Sequence, residues 1–317
     1  MDMILCIGVD VSSRTFEASL GAEAAKTAQF PNNEAGFAAF AAWCGHALAD
    51  ALVVCEATGG YEAAFIGFLV ARGVRVHRAT PYLVKSYIRS LGLKAKTDRI
   101  DARALARYGV ERGADLAPYR AAPESQRELA AALTRREELV AMRVAETNRS
   151  RQPLYADPTL ARSVAAVLAT LNSEIAALEA RAAEIVAADP LLKARFDALT
   201  SIPGVGRQTA LVLQARMPEL GRIDRRAAAS LAGCAPHPRD SGLTRGRRTV
   251  WGGRASLKRA LFMAAMAARN HDPAMRAFFD RLVHNGKPKM VAIVAVMRKI
   301  VVIANARIRT IDRHATG

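Results

Sequence analysis

The chain holds only four cysteines, Cys6, Cys44, Cys55 and Cys234, and no two form a C-x-x-C pair. That scarcity argues against a disulfide framework and a cysteine-built zinc site. The apolar runs around Cys6 and Cys55 predict buried thiols. Aromatic residues make up 6% of the sequence while alanine is abundant, a balance that favours helix. The opening Met1-Asp2-Met3-Ile4-Leu5-Cys6 lacks the basic stretch of a signal peptide. No apolar run is expected to reach the length of a membrane span; the nearest, Met290 to Ala306, is interrupted by Arg298 and Lys299. The expectation is a cytoplasmic chain with no membrane partner. Acidic residues are also short: 29 Asp and Glu stand against 46 Lys and Arg, for a net charge of +17. Such a balance points to polyanion partners, nucleic acid first.

What is present is enough apolar material, 51% of 317 residues, for two or three domains. Residues 3–10 form an apolar run ending in Asp10, which reads as a buried strand. Residues 14–20 alternate like the second strand of a hairpin, and 26–30 suggest a third. Residues 34–48 have helical character, 51–55 form another buried strand, a helix follows Gly59-Gly60 to about residue 71, and 74–77 resemble a further strand. The order βββαβαβ predicts an α/β domain with a mixed sheet over residues 1–120. A helical segment follows over 121–190, as two stretches (124–150 and 159–188) flanking Pro153 and Pro158. In the second stretch Val164, Leu168, Leu171, Ile175, Leu178, Ala182 and Ile185 step in a heptad rhythm. That seam fits an antiparallel hairpin packed on itself, a dimerisation coil, or an ordinary bundle helix. Asp189-Pro190 then opens a mostly helical domain over 191–317. Within it, Ser201-Ile-Pro-Gly-Val-Gly-Arg207 looks like a helix-hairpin-helix turn, with Gly204, Gly206 and Arg207 placed to meet a DNA phosphate at a helix N-terminus.

Four carboxylates stand out. Asp10 and Glu56 each end an apolar run, where a polar residue is costly. Asp98 and Asp101, spaced i,i+3, share one face if that segment is helical. Two divalent cations need shared oxygen ligands on rigid elements, and this set suits Mg²⁺ or Mn²⁺. Taken singly, each is also readable as a cap or surface charge; Asp98 after Thr97 could simply begin a helix. Between Lys85 and Arg112 eight basic residues, Lys96 among them, outnumber three acidic ones, and Arg99, Arg103 and Arg107 step by four along one stripe. Such a stripe suits a phosphate backbone or a solvated helix face. A second basic stretch carries Arg239, Arg245, Arg247, Arg248, Arg254 and Lys258 amid glycines. Inside it, Ser241 reads on its own as a turn serine with a minor claim to nucleophile, and His237 as a proton carrier or loop residue.

Together, Gly8-Val-Asp10, Cys55-Glu-Ala-Thr-Gly-Gly60, Lys96-Thr-Asp-Arg-Ile-Asp-Ala102, Ile202-Pro-Gly-Val-Gly206, Leu231-Ala-Gly-Cys-Ala-Pro236 and Gly252-Gly-Arg254 resemble the DEDD-type transposases of bacterial insertion sequences, the bridge-RNA-guided recombinases, over essentially the whole chain. The resemblance implies a RuvC-like, RNase H-like N-terminal domain, a coiled-coil dimerisation segment and a C-terminal transposase domain. It implies Asp10, Glu56, Asp98 and Asp101 as metal ligands and Ser241 as the nucleophile that forms a covalent serine–DNA intermediate. It further implies donor and target DNA, an element-encoded guide RNA, a dimer that becomes a tetramer in the synapse, and work on the nucleoid. Three rivals stand beside it: a resolvase-like nuclease using water, a non-catalytic RNA-binding scaffold, and an actin-like ATPase or sugar kinase. The last lacks a second glycine-rich nucleotide motif in the C-terminal half.

Overall fold

A computed structural model describes residues 5–21, 26–92, 97–237 and 249–316. It divides into two compact units, Met1–Ala121 and Ala122–Gly317.

The first unit is built on strands β1 (Cys6–Val11), β2 (Thr15–Leu20) and β3 (Lys26–Pro31), then helices α1 (Glu34–Cys44) and α2 (Ala47–Asp50). Strand β4 (Leu52–Glu56), helix α3 (Ala63–Val70), strand β5 (Arg75–Ala79) and helices α4 (Pro81–Ser90) and α5 (Asp98–Arg112) complete it. The sheet order is β3-β2-β1-β4-β5. Strand β1 runs antiparallel to β2 and parallel to β4, so the sheet is mixed as expected. Alternation splits the central strands between two faces. Ile7, Val9, Val53 and Cys55 point into an aromatic-rich core with Phe16, Phe37, Phe40 and Phe65. Cys6, Leu52 and Val54 point to the other face, against Leu105 and Tyr108 of α5. All four cysteines are free and buried.

Helix α5 lies directly on β1 because Gly8 has no side chain. A Cβ there would sit 2.0 Å from the Ala102 carbonyl oxygen and 2.2 Å from the Ala106 nitrogen. Further along, a Cβ on Gly109 would meet Val54 and Cys6 at 2.9 and 3.0 Å. The helix therefore runs antiparallel to β1, its start over the strand's end. The sequence reading did not include α4, whose Pro81 occupies the first helical turn.

The second unit begins with the helices α6 (Glu124–Ser150) and α7 (Pro158–Ala188), which pack on one another as a hairpin. None of the seven heptad-seam residues is exposed: Val164, Leu171, Ile175, Ala182 and Ile185 are buried, and Leu168 and Leu178 half-buried. Leu171, Ile175 and Leu178 pack with Leu139 and Val140 of α6. Arg136–Glu179 at 2.5 Å and Arg181–Glu128 at 2.9 Å bridge the two helices. By length and composition alone α7 is apolar enough to cross a membrane, which corrects the expectation that no run reaches that length. Its many alanines supply that hydropathy, and Arg162, Glu174, Glu179, Arg181 and Glu184 interrupt it.

Asp189 caps α8 (Pro190–Thr200), its carboxylate accepting from the Leu191 and Leu192 amides. This is the physical content of the Asp-Pro punctuation. Helices α9 (Arg207–Arg216) and α10 (Arg225–Leu231), the short strands β6 (Pro236–His237) and β7 (Thr249–Val250), and helices α11 (Ala255–His271), α12 (Pro273–His284) and α13 (Lys289–Thr316) follow. Their apolar faces share one core, including Leu199, Leu213, Leu261 and Ile300. The base of the hairpin joins α8 and α9 through Leu129, Leu133, Ile185, Leu192 and Leu211.

Candidate active site

The four carboxylates singled out in the sequence lie at one end of the first unit's sheet. Val9 pairs with Cys55 across the parallel β1–β4 ladder. One residue further on each strand stand Asp10 and Glu56, both on the face that α5 covers, and both half-buried. Asp98 and Asp101 occupy the first turn of α5, over the same end of β1. That turn is capped by Thr97, whose hydroxyl accepts from the Ile100 amide at 3.3 Å, so Asp98 does begin a helix, as one reading had it. The positive end of the helix dipole favours carboxylates there.

Backbone geometry thus brings the four to one edge. In the side-chain positions described, no group of three or more His, Cys, Asp or Glu residues converges as metal ligands. The donor set still fits a hard divalent cation in two respects. All four donors are carboxylates, and they are carried by rigid strand ends and a helix start at one end of the sheet.

Two further acidic residues belong to this end of the sheet, and sequence reasoning missed both. Glu17 lies opposite Asp10 in the β1–β2 register. It is only 4% exposed and pairs with the exposed Arg99 at 3.1 Å. Glu62 is 1% exposed and accepts from the Thr58 and Gly60 amides, each at 3.0 Å. Its carboxylate also meets the Arg78 guanidinium at 2.5 Å. The Thr58 hydroxyl in turn donates to the Glu56 carbonyl at 3.0 Å, so Glu62 braces the loop that leaves Glu56. Gly59 and Gly60 take positive φ, +65° and +103°, which lets that loop fold back over the carboxylate. Asn32 ties the same loop to the β1–β2 turn, its amide donating to the Ser12 and Tyr61 carbonyls at 2.9 and 3.1 Å. Only the Thr-Gly-Gly tripeptide offered a sequence signal for any of this.

Burial alone would raise the Glu62 pKa, but the backbone donors and Arg78 outweigh it and hold the group below the ordinary carboxylate value. A lowered folded pKa contributes stability above the unfolded value, lost as pH falls through the folded one. Glu62→Gln should therefore cost about 1–3 kcal/mol near neutrality by stranding Arg78 and weakening the turn. In urea titrations the gap to wild type should narrow as the pH drops below the ordinary carboxylate range; a gap independent of pH would refute the assignment.

The basic residues are placed differently by element. Arg103 is exposed on α5 and Arg107 pairs with Glu111 at 2.7 Å. In the second unit, Gly204 takes φ +82°, and a Cβ on it would lie 2.3 Å from the Ala264 carbonyl of α11. Gly206 then caps α9 without a side-chain bond, leaving the helix start beside the exposed Arg207. Arg254 is occupied within the unit: its guanidinium meets both Glu219 carboxylate oxygens, at 2.9 and 2.5 Å, and the Arg216 carbonyl. Lys258 lines an apolar groove with Phe262, Met263, Met290 and Met297. Lys96, Arg239, Ser241, Arg245, Arg247 and Arg248 lie outside the described residues, as does the side chain of His237.

Known proteins match this chain in two blocks. A DEDD-type family model described as Transposase covers residues 7–156, and one described as Transposase IS116/IS110/IS902 family covers 196–280. The chain is 28% identical to a pilin gene-inverting protein of Moraxella bovis over 316 residues, spanning 96% of this chain and 95% of that protein. Its counterpart in Moraxella lacunata has the same identity and coverage. An uncharacterized 43.6 kDa protein of insertion element IS110 from Streptomyces coelicolor is 36% identical over 154 residues, 48% of this chain and 36% of that protein.

Proposed function

Because this chain belongs to the IS110-type transposase family, enzymes that cut and join DNA, we propose that it is an RNA-guided recombinase of a mobile element acting through a covalent serine–DNA intermediate. The observation that carries the catalytic half of this reading is the gathering of Asp10, Glu56, Asp98 and Asp101 at one sheet end. The order β3-β2-β1-β4-β5, with β2 alone opposed to β1, supports an RNase H-like, RuvC-like first unit.

In the proposed reaction the Ser241 hydroxyl attacks a scissile phosphate. A new serine O–P bond forms, the P–O bond to the leaving DNA strand breaks, and the serine proton is released as that strand's oxygen takes one up. A DNA hydroxyl later attacks the phosphoserine and restores the serine. One phosphodiester is exchanged for another, so joining needs no nucleotide triphosphate. The four carboxylates would hold Mg²⁺, or Mn²⁺ in its place, which when bound supplies Lewis-acid stabilisation of charge on the phosphate. The chain's own contribution is rigid placement of those oxygens by strand ends and one helix start. Arg103 and Arg207 would track nucleic-acid backbones, together with Lys96 and the arginines at 239, 245, 247 and 248. Sequence choice would rest on base pairing with the element-encoded guide RNA.

Oligomers, a dimer on each DNA and a tetramer in the synapse, are part of the proposal, as is work on the nucleoid in the cytoplasm. The hairpin's heptad seam is filled by its own chain. A dimer contact would therefore use other residues, and Met142, Val144, Leu154 and Val167 offer exposed apolar surface on the hairpin.

The deciding experiment mixes purified protein, RNA transcribed from the flanks of its gene, labelled duplex DNA and Mg²⁺. A DNA–protein adduct that survives denaturation should form and should vanish in Ser241→Ala. Adduct that persists in Ser241→Ala would remove the nucleophile assignment. Nicked DNA without adduct would point to hydrolysis instead.

A further inference from the structure

We propose that Glu17 is a positioning residue for the carboxylate site. Through Arg99 it holds the first turn of α5, and so Asp98 and Asp101, against the end of β1 that carries Asp10. This rests on the reading of that sheet end as a metal-binding active site.

Glu17 sits where a glutamate is unfavourable. It is in a sheet interior, a position glutamate tends to avoid, and it is 4% exposed. Its register partner is Asp10, another carboxylate on the same face. Burying two like charges side by side raises the free energy of both unless a cation stands near. That cation comes from 82 residues away: Arg99 Nε donates to Glu17 Oε1 at 3.1 Å. Arg99 lies between Asp98 and Asp101 in sequence, so anchoring its side chain fixes the rotation and height of the turn that carries both. The first fully buried residue of α5 is Ala102, one position after that turn's second aspartate. Packing therefore secures the helix body, while Asp98 and Arg99 project beyond the packed part, both exposed. The ion pair extends that hold to the first turn.

The test uses the full-length protein and the metal alone as probe. Melting temperature is recorded against Mn²⁺ concentration for wild type, Glu17→Gln, Arg99→Ala, the double variant and Asp10→Asn. Arg99 is 71% exposed, so its removal leaves the core intact even if Glu17→Gln folds poorly. Wild type should show a metal-dependent rise that Asp10→Asn abolishes. Each single variant should need about 10- to 100-fold more Mn²⁺ to reach half its rise, the usual effect of losing a group that orients a metal ligand. The double variant should need no more than the worse single one, because one pair has been broken in each. Arg99→Lys should recover part of the loss. An unchanged midpoint in Arg99→Ala, or losses that multiply in the double variant, would overturn the positioning role. A wild-type curve flat in Mn²⁺ would instead overturn the metal-site reading, and this inference with it.

Discussion

Asp10→Asn should reduce DNA cleavage and joining by about a thousandfold or more, on the order of 4 kcal/mol of lost transition-state stabilisation, while the protein stays folded. The argument starts from the strand. Asp10 ends an apolar run, with Val9 and Val11 buried on the opposite face, so the backbone at this position is fixed by its neighbours. Asparagine has the same shape and leaves that packing alone. What it removes is one negative charge from an end of the sheet that also carries Glu17, Glu56, Asp98 and Asp101. The fold should survive the change, because the neutral side chain keeps the shape of the one it replaces. Loss of a shared ligand should remove catalysis. The measurement is nicking and adduct formation on labelled DNA, paired with a urea unfolding curve. An active, equally stable variant would take Asp10 out of the site.

Gly8→Ala should destabilise the first unit by about 3 kcal/mol or more, an unusually large effect for a single methyl group. The new carbon would lie 2.0 Å from one backbone atom of α5 and 2.2 Å from another. Neither contact involves a flexible side chain that could swing away. Either the helix lifts from the sheet or β1 bends, and both move Asp98 and Asp101 away from Asp10. Activity should fall with stability. Gly67→Ala in α3 is the control, since nothing lies within 4 Å of a Cβ there. In a helix interior that change should be neutral or mildly stabilising. Urea midpoints of the two variants should therefore diverge sharply; similar midpoints would mean that α5 does not ride on Gly8 so closely.

The elements most legible in the sequence were those whose signal is local. Strand β1 shows as an apolar run, β2 as an alternation, α6 and α7 as two helical stretches parted by Pro153 and Pro158, and α7 by its heptad rhythm. Glu17 was hidden by the same logic that exposed β2. In an alternating strand a glutamate on the polar side reads as solvated, and only a helix some 80 residues later covers that side. Nothing local marks Glu62, because its partners, Thr58, Gly60 and Arg78, are brought to it by a turn and a neighbouring strand. The heptad seam was visible, but a knob fits a hole on its own chain as well as on another, so the residues alone left the partner open. Arg254 looked like one more cation in a glycine-rich basic stretch. Its engagement by Glu219, 35 residues upstream, is a tertiary fact that charge counting does not contain.

The closed seam of the hairpin has a consequence for the protein's life history. A coil that must wait for a second chain to cover its leucines is sticky while it waits, and its folding depends on concentration. Here Leu171, Ile175 and Leu178 are sheltered by Leu139 and Val140 of the same chain. A seam closed within one chain makes that contact independent of protein concentration. Any association with a second chain would then be a separate event, on surface that the seam does not use.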